Sequence, residues 1–333
     1  MRLTQPRRLS TVLAAGLGAA LSAGLIAQPA HAAGAPAQGS YRLNFTSIYT
    51  GQSVTVTQTS LTDNEDDRLL SKIVSWGDGT TSYLSANELT AGHNYPSAGA
   101  YQVSVALNDL DGDTVGTFAG ASKVTVAKVT GTYKLSTRST WSGPSGTLPV
   151  SVSLAGVPAG ATKVRIGWDD GKYSVVARGT KSVSHRFAYS GTHRVTAELF
   201  NSAGYSSPLA LGTVNVKLDY TNPTVKVTNP AKANRVASWK TIRGTAADKG
   251  AGAYRVAIVV GQVRGTTQYY FNGKKWVKGS VNKSKLLYAT VKAGKWSVKI
   301  ATPKKGYLII GYAAVDKVGN ASYGKSKQVK LTR

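Results

Sequence analysis

The chain repeats itself at a spacing of 92 residues without a gap: Trp76 falls on Trp168, Asp78-Gly79 on Asp170-Gly171, His93 on His185, Gly99 on Gly191, Val103 on Val195 and Gly112 on Gly204. Several of these residue types are rare, so a common register through all of them marks a duplicated domain. Boundaries then fall near Gly39, Lys128 and Asp219, giving domains over 38–128, 129–219 and a third stretch, 220–333, that does not keep the register. A chain of 333 residues has room for two to three domains. With no Cys anywhere, each must stand on its own hydrophobic core, and thiol chemistry, disulfides and thiolate metal sites are excluded.

The first residues read as an address. Arg2, Arg7 and Arg8 make a basic start, an uncharged apolar run follows over 13–27, and Ala30-His31-Ala32 supplies small residues for cleavage. This pattern predicts a secretory signal peptide over 1–32. Gly16, Gly18, Ser22 and Gly24 dilute a run already shorter than the roughly 20 residues of a spanning helix, which argues against an anchor. Arg7-Arg8 resembles a twin-arginine signal, but Ser10 and Thr11 stand where that signal prefers apolar residues, so the export route stays open. The mature protein is expected to be secreted, with no integral membrane segment, either extracellular or held at the cell wall by noncovalent contacts.

Within the repeats the pattern is that of strands. Ser53-Val54-Thr55-Val56-Thr57, Tyr101-Gln102-Val103-Ser104-Val105 and Val124-Thr125-Val126 alternate apolar with polar residues or concentrate β-branched ones between Gly, Asn and Asp turns. No stretch has a helical apolar period. About 90 residues of short strands predict an antiparallel sandwich, and the whole chain an all-β protein of three tandem immunoglobulin-like β-sandwich domains.

Val74-Ser75-Trp76-Gly77-Asp78-Gly79, His93-Asn94-Tyr95, Gly99-Ala100-Tyr101 and Asp109-Leu110-Asp111-Gly112 together resemble a PKD domain. Repeat 2 is similar, with Trp168-Asp169-Asp170-Gly171 and His185-Arg186-Phe187; Phe187 and His193 stand in the places of Tyr95 and Tyr101. Asn222-Pro223-Thr224-Val225, Ile242-Arg243-Gly244-Thr245 and Val315-Asp316-Lys317-Val318-Gly319-Asn320 resemble bacterial Ig-like domains of extracellular proteins. The resemblances imply β-sandwiches of secreted or surface proteins. PKD relatives accompany polysaccharide or protein degradation and adhesion.

The residues themselves give the motif a structural meaning. In Trp76-Gly77-Asp78-Gly79 and Trp168-Asp169-Asp170-Gly171 the Trp offers an apolar body to a core and the Asp-Gly pair lets the chain reverse. His93 and His185 recur within the motif, and a Tyr entering a late strand, as at Tyr95 or Tyr101, suits a corner that hydrogen-bonds to nearby backbone.

Charge separates the domains. Residues 34–128 carry 5 basic and 9 acidic side chains, 129–219 carry 10 and 4, and 220–333 carry 23 and 2. A domain with the last balance attracts polyanions, because each cation near a phosphate, carboxylate or sulfate adds a screened attraction and releases counterions. The expected contacts are Lys274, Lys275, Lys278, Lys283, Lys285, Lys295, Lys299, Lys304 and Lys305. Alternation in Trp296-Ser297-Val298-Lys299-Ile300 sends Lys295 and Lys299 outward, and Lys304-Lys305 precede a turn at Gly306. Asn272-Gly273 predicts a two-residue hairpin that opposes Tyr269 to Trp276, Tyr270 to Lys275 and Phe271 to Lys274, leaving Tyr270 as an aromatic contact beside Lys275. The plainer reading is a solubilising surface for the lysines and a core role for Tyr269, Phe271 and Trp276.

Asp109-Leu110-Asp111-Gly112-Asp113, with Asp63, Glu65, Asp66 and Asp67 in the same domain, offers clustered carboxylates for Ca²⁺, or else an acidic turn. Repeat 2 has Asn201 and Ala203 in the equivalent places, and the spacing lacks the later bidentate Glu of an EF-hand loop. Beyond that candidate no cofactor is expected.

Catalysis finds little support. The mature chain holds only His93, His185 and His193, and no Gly-x-Ser-x-Gly elbow, His-Glu-x-x-His pair or phosphate loop is present. His185 and His193 could approach across a turn to bind a metal, but no further ligand accompanies them. The expectation is a non-catalytic binding or adhesion protein. Its basic C-terminal domain would hold an anionic cell-wall polymer or polysaccharide, with the PKD-like domains as spacer or interaction modules; the alternative is a module that binds a secreted protein partner, with the charge serving solubility. Specific nucleic-acid recognition is not expected.

Overall fold

The computed structural model describes residues 35–63 and 69–332, so the signal-peptide expectation and Glu65, Asp66 and Asp67 lie outside the described residues. Strands and their turns dominate; the helical elements among the described residues are two 3-10 turns, Val236–Trp239 and Val281–Lys283. None is long and apolar enough to cross a membrane.

Three hydrophobic cores succeed one another along the chain, each between packed sheets. In the first domain Gln38–Leu43, Ser53–Thr62 and Thr90–Asn94 pair on one side, and Leu69–Ser75, Thr81–Ser85 and Ser104–Asp109 on the other. The second repeats the scheme, with Thr132–Leu135, Val150–Ala155 and Ser182–His185 facing a sheet built around Lys163–Gly167, Gly191–Asn201 and Leu209–Leu218. In the third, Thr224–Val227, Thr241–Ala247 and Lys295–Lys299 form a three-stranded sheet over a larger one centred on Ala253–Arg264 and Gly306–Asp316.

Period-two patterning explains these layers. Val54 and Val56 of Ser53–Thr62 are buried between exposed or half-exposed Ser53, Thr55 and Thr57, and Val256, Ile258 and Val260 of Ala253–Arg264 are buried in the same rhythm. Lys72 is a polar exception at an inward position. It is fully buried, and its Nζ donates to Gln58 Oε1 (2.8 Å), Ala86 O (2.8 Å) and Glu88 O (2.6 Å). Three acceptors offset the desolvation of an ammonium group, although burial still lowers its pKa against the opposing charge of Glu88.

The joints between domains are hydrogen-bonded. Tyr49 of the first domain belongs to the second core, and Gln52 Nε2 donates to Asn201 Oδ1 (2.7 Å) and Gly204 O (2.6 Å). Gly51, at φ 83°, lies so near the second domain that a Cβ would meet Ser207 Oγ at 2.1 Å. At the second joint Ser145 N donates to Val318 O (2.7 Å) and Asn320 Nδ2 to Asp219 O (2.9 Å).

Candidate functional site

The repeated motif assembles the same network twice. Trp76 and Trp168 are fully buried, and their Nε1 atoms donate to Ser82 Oγ and Ser174 Oγ, each at 2.9 Å. His93 stacks on Trp76 at 4.9 Å and His185 on Trp168 at 4.7 Å, and each Nε2 lies 2.7 Å from a carboxylate, Asp78 or Asp170. Tyr95 donates its hydroxyl to Trp76 O (2.9 Å), and Tyr101 stacks on Tyr95 at 4.6 Å while donating to Ser97 O (3.1 Å). Phe187 and His193 stack in the same places at 4.5 Å. Gly79 and Gly171 take φ of 91° and 80°, left-handed values that suit glycine at these turns. The motif residues are thus core, caps and turns. His185 and His193 do not form a metal pair: Phe187 stands between them, and His193 contacts the carbonyl oxygens of Asp169 and Tyr189.

Burial alone would raise the pKa values of Asp78 and Asp170, but hydrogen bonds outweigh it. Asp78 accepts from Thr80 and His93, and Asp170 from His185 and the Ala188 N–H, so both carboxyls sit below the ordinary range. A depressed folded value adds stability that is complete above the unfolded carboxylate pKa of about 4 and is lost as pH falls through the folded one. Acid titration of the double variant Asp78→Asn, Asp170→Asn is therefore expected to show a flatter stability curve below about pH 4 than the wild type. An unchanged acid limb would refute this assignment.

Among the described residues, Asp109, Asp111 and Asp113 do not gather into one site. Asp109 ends strand Ser104–Asp109 with its carboxylate turned inward, where Oδ2 accepts the Ala37 N–H. Asp111 and Asp113 follow in the turn and its exit, half-exposed and exposed, so the three carboxylates do not converge. Among the described residues one other set of acids does gather: Asp219, Asp248 and Asp316 bring carboxylate oxygens within 4.8 Å of one another. Their oxygens are engaged by protein donors. Asp316 accepts from Val318 N, Asn320 N and Asn320 Nδ2 at 2.8 to 2.9 Å, Asp219 from Thr221 and Ala251 N, and Asp248 from Gly250 N and Gly252 N. Burial opposes ionisation of Asp219, but the Ala251 N–H and Thr221 hold its pKa below the usual value. The set clamps loops at the second joint, and sequence reading missed it because its members are far apart along the chain.

This clamp also decides the electrostatics of the third domain. Its only acids, Asp248 and Asp316, are both held at the joint. Ion pairs among the described residues are His93–Asp78, Arg165–Glu198 and His185–Asp170, and none lies in the third domain. The described cations of that domain therefore stand without a carboxylate of the described residues within 4.0 Å, and their field is uncompensated beyond the joint.

The nine lysines expected as a contact set do not share one face. Lys295 and Lys299 project outward from the three-stranded sheet, with Trp296 and Ile300 buried behind them. Lys274, Lys275, Lys278, Lys283 and Lys285 surround the hairpin of the other sheet, and Lys304 and Lys305 lie in the loop before Gly306–Asp316. That hairpin is also wider than expected. Phe271 pairs with Trp276, Tyr270 with Val277 and Tyr269 with Lys278, because Asn272 Oδ1 accepts the N–H groups of Lys274 and Lys275 and closes a four-residue turn. Tyr270 accordingly does not oppose Lys275. Phe271 enters the core, while the guanidinium of Arg264 lies 4.1 Å over Tyr269.

On the three-stranded sheet the outward positions are cationic or hydroxylic, apart from Ala247. Thr245 stands opposite Lys226 on one side and Lys295 on the other, Arg243 opposite Ser297, and Thr241 opposite Lys299. Lys226 and Arg243 are not among the expected contacts, although the alternation in Thr224-Val225-Lys226-Val227-Thr228 and Thr241-Ile242-Arg243-Gly244-Thr245 points them outward. Only the lateral order of the strands sets them beside Lys295.

No protein-family model matches the chain, and neither does any curated protein. Among solved structures, the fibronectin(III)-like modules of Clostridium thermocellum CbhA are 17% identical over 52% of this chain and 89% of theirs, with a TM-score of 0.26. Three N-terminal domains of the outer capsid protein Hoc of bacteriophage RB49 are 11% identical over 89% of this chain and 100% of theirs, at a TM-score of 0.30. Carbohydrate-binding modules of a β-sandwich superfamily are 13% identical over 89% and 93%, at 0.25. Scores this low carry no assignment of function.

Proposed function

We propose that the protein is a secreted, non-catalytic binding protein whose third domain holds an anionic cell-envelope polymer or polysaccharide. The observation that carries this reading is the uncompensated charge of that domain: 23 basic against 2 acidic residues, with both acids clamped at the joint. A single-signed field of this kind exceeds what solubility requires. The first two domains are the PKD-like pair. Their motif residues are committed to core and turn contacts, and the pair acts as a spacer or contacts further partners, with the second domain hydrogen-bonded to the binding domain.

Retention of the mature chain on isolated cell walls tests the reading. Binding is expected to be strong at about 50 mM salt and to fall by more than tenfold at about 200 mM, as for any contact made through several released counterions. Retention that ignores salt, or none at low salt, would overturn it.

A further inference from the structure

The three-stranded sheet of the third domain carries a cleft of about 720 Å³, a volume within the range of ligand sites. Arg243, Lys292 and Lys295 line it together with the hydroxyls of Thr228, Thr245 and Ser297. All six side chains are exposed. None of the three cations has a hydrogen-bond or ion-pair partner among the described residues, in contrast to Arg165, which is held by Glu198, and Arg264, which donates to Gln262. Thr290, Gly244 and Trp296 complete the lining. A Cβ on Gly244 would meet Trp296 Cζ2 at 2.4 Å and Lys226 O at 2.1 Å, so glycine is what lets the indole pack directly beneath this part of the sheet.

We propose that this cleft is where the third domain grips successive phosphate groups of a linear polyol-phosphate polymer, an inference that rests on the polyanion reading above. Tetrahedral oxyanions accept hydrogen bonds on several oxygens at once, and the lining offers a planar guanidinium fork, two ammonium groups and four hydroxyl donors. The cations are also spaced for a chain rather than for one small ion. Arg243 lies two residues along from Thr245, roughly 7 Å, Lys295 stands opposite Thr245 one strand over, and Lys226, beside the cleft on the same sheet, continues the row one strand beyond Thr245 on the other side, roughly 10 Å from Lys295.

The same face disfavours the other classes of polymer. Its outward positions on the strands are Thr, Ser, Lys, Arg and one Ala, with no aromatic ring, and Trp296 is buried. Sugar rings therefore find no stacking platform, and neither do the bases of single-stranded nucleic acid. What remains recognisable here is a backbone of repeated negative charge.

The test compares three forms of the full mature chain for binding to immobilised poly(glycerol phosphate) at about 50 mM salt, a regime in which such contacts are strong. The cleft variant is Arg243→Gln, Lys292→Gln, Lys295→Gln, and the matched control is Lys274→Gln, Lys275→Gln, Lys278→Gln. Both remove the same charge from exposed positions, and unchanged melting temperatures verify folding. Losing tenfold or more in the cleft variant and under threefold in the control would support the proposal. Equal losses, with the wild type still bound, would overturn the cleft while leaving the polyanion reading intact. A wild type that fails to bind poly(glycerol phosphate) but stays on cell walls would overturn the phosphate assignment alone; failure on both would overturn the polyanion reading too. Competition by oligothymidylate as effective as that by free poly(glycerol phosphate) would replace the proposal with a nucleic-acid site.

Discussion

Truncating Trp168 to Ala is expected to destabilise the second domain by about 3–5 kcal/mol, the range for removing a large buried aromatic. The indole is fully buried, stacks on His185 and donates to Ser174 Oγ at 2.9 Å, so its loss leaves a cavity and unpairs a half-buried hydroxyl at once. Trp76→Ala is expected to do the same in the first domain, where the indole, the His and the Ser recur in one arrangement. Urea unfolding of the full chain, followed by Trp fluorescence, reads both effects. A shift below about 1 kcal/mol in either domain would show that the repeated Trp is not what organises the core.

Asp316→Ala is the second large effect. Asp316 is 2% exposed, and its carboxylate receives three donors, Val318 N, Asn320 N and Asn320 Nδ2. Removing it strands those groups, at about 1–3 kcal/mol for a buried donor left unpaired, and the total is expected near 3 kcal/mol because the contacts are not additive. Asn320 also donates to Asp219 O across the second joint, so the same variant should loosen the third domain against the second. Small-angle scattering would show a broader spread of domain orientations, and calorimetry an earlier transition for the third domain. Asp316→Asn keeps an acceptor and removes a charge beside two other carboxylates, so it should cost less than half as much. Equal costs for the two variants would mean that hydrogen bonding is not what Asp316 contributes.

Much of the fold is legible in the sequence, and the reason is local. Alternation in a strand states which side chains go inward, and Lys295 and Lys299 stand outward with Trp296 and Ile300 inward as the pattern required. The hairpin was less legible. Asn272-Gly273 has the signature of a two-residue turn, but the Asn272 side chain caps two N–H groups and draws Lys274 and Lys275 into the loop, which moves every cross-strand partner. Nor could the Ca²⁺ reading at Asp109, Asp111 and Asp113 be settled from spacing, because a strand end and a turn direct neighbouring carboxylates apart.

The order of residues alone determined the duplicated Trp, Asp and His framework, the strand character of the chain and the excess of positive charge at its C-terminal end, since periodicity and charge are properties of position along a line. Tertiary structure decided which distant residues became neighbours. It gathered Asp219, Asp248 and Asp316 at one joint and set Lys226, Arg243 and Lys295 side by side on one sheet, because the lateral order of strands is fixed by how whole sheets bury their apolar faces.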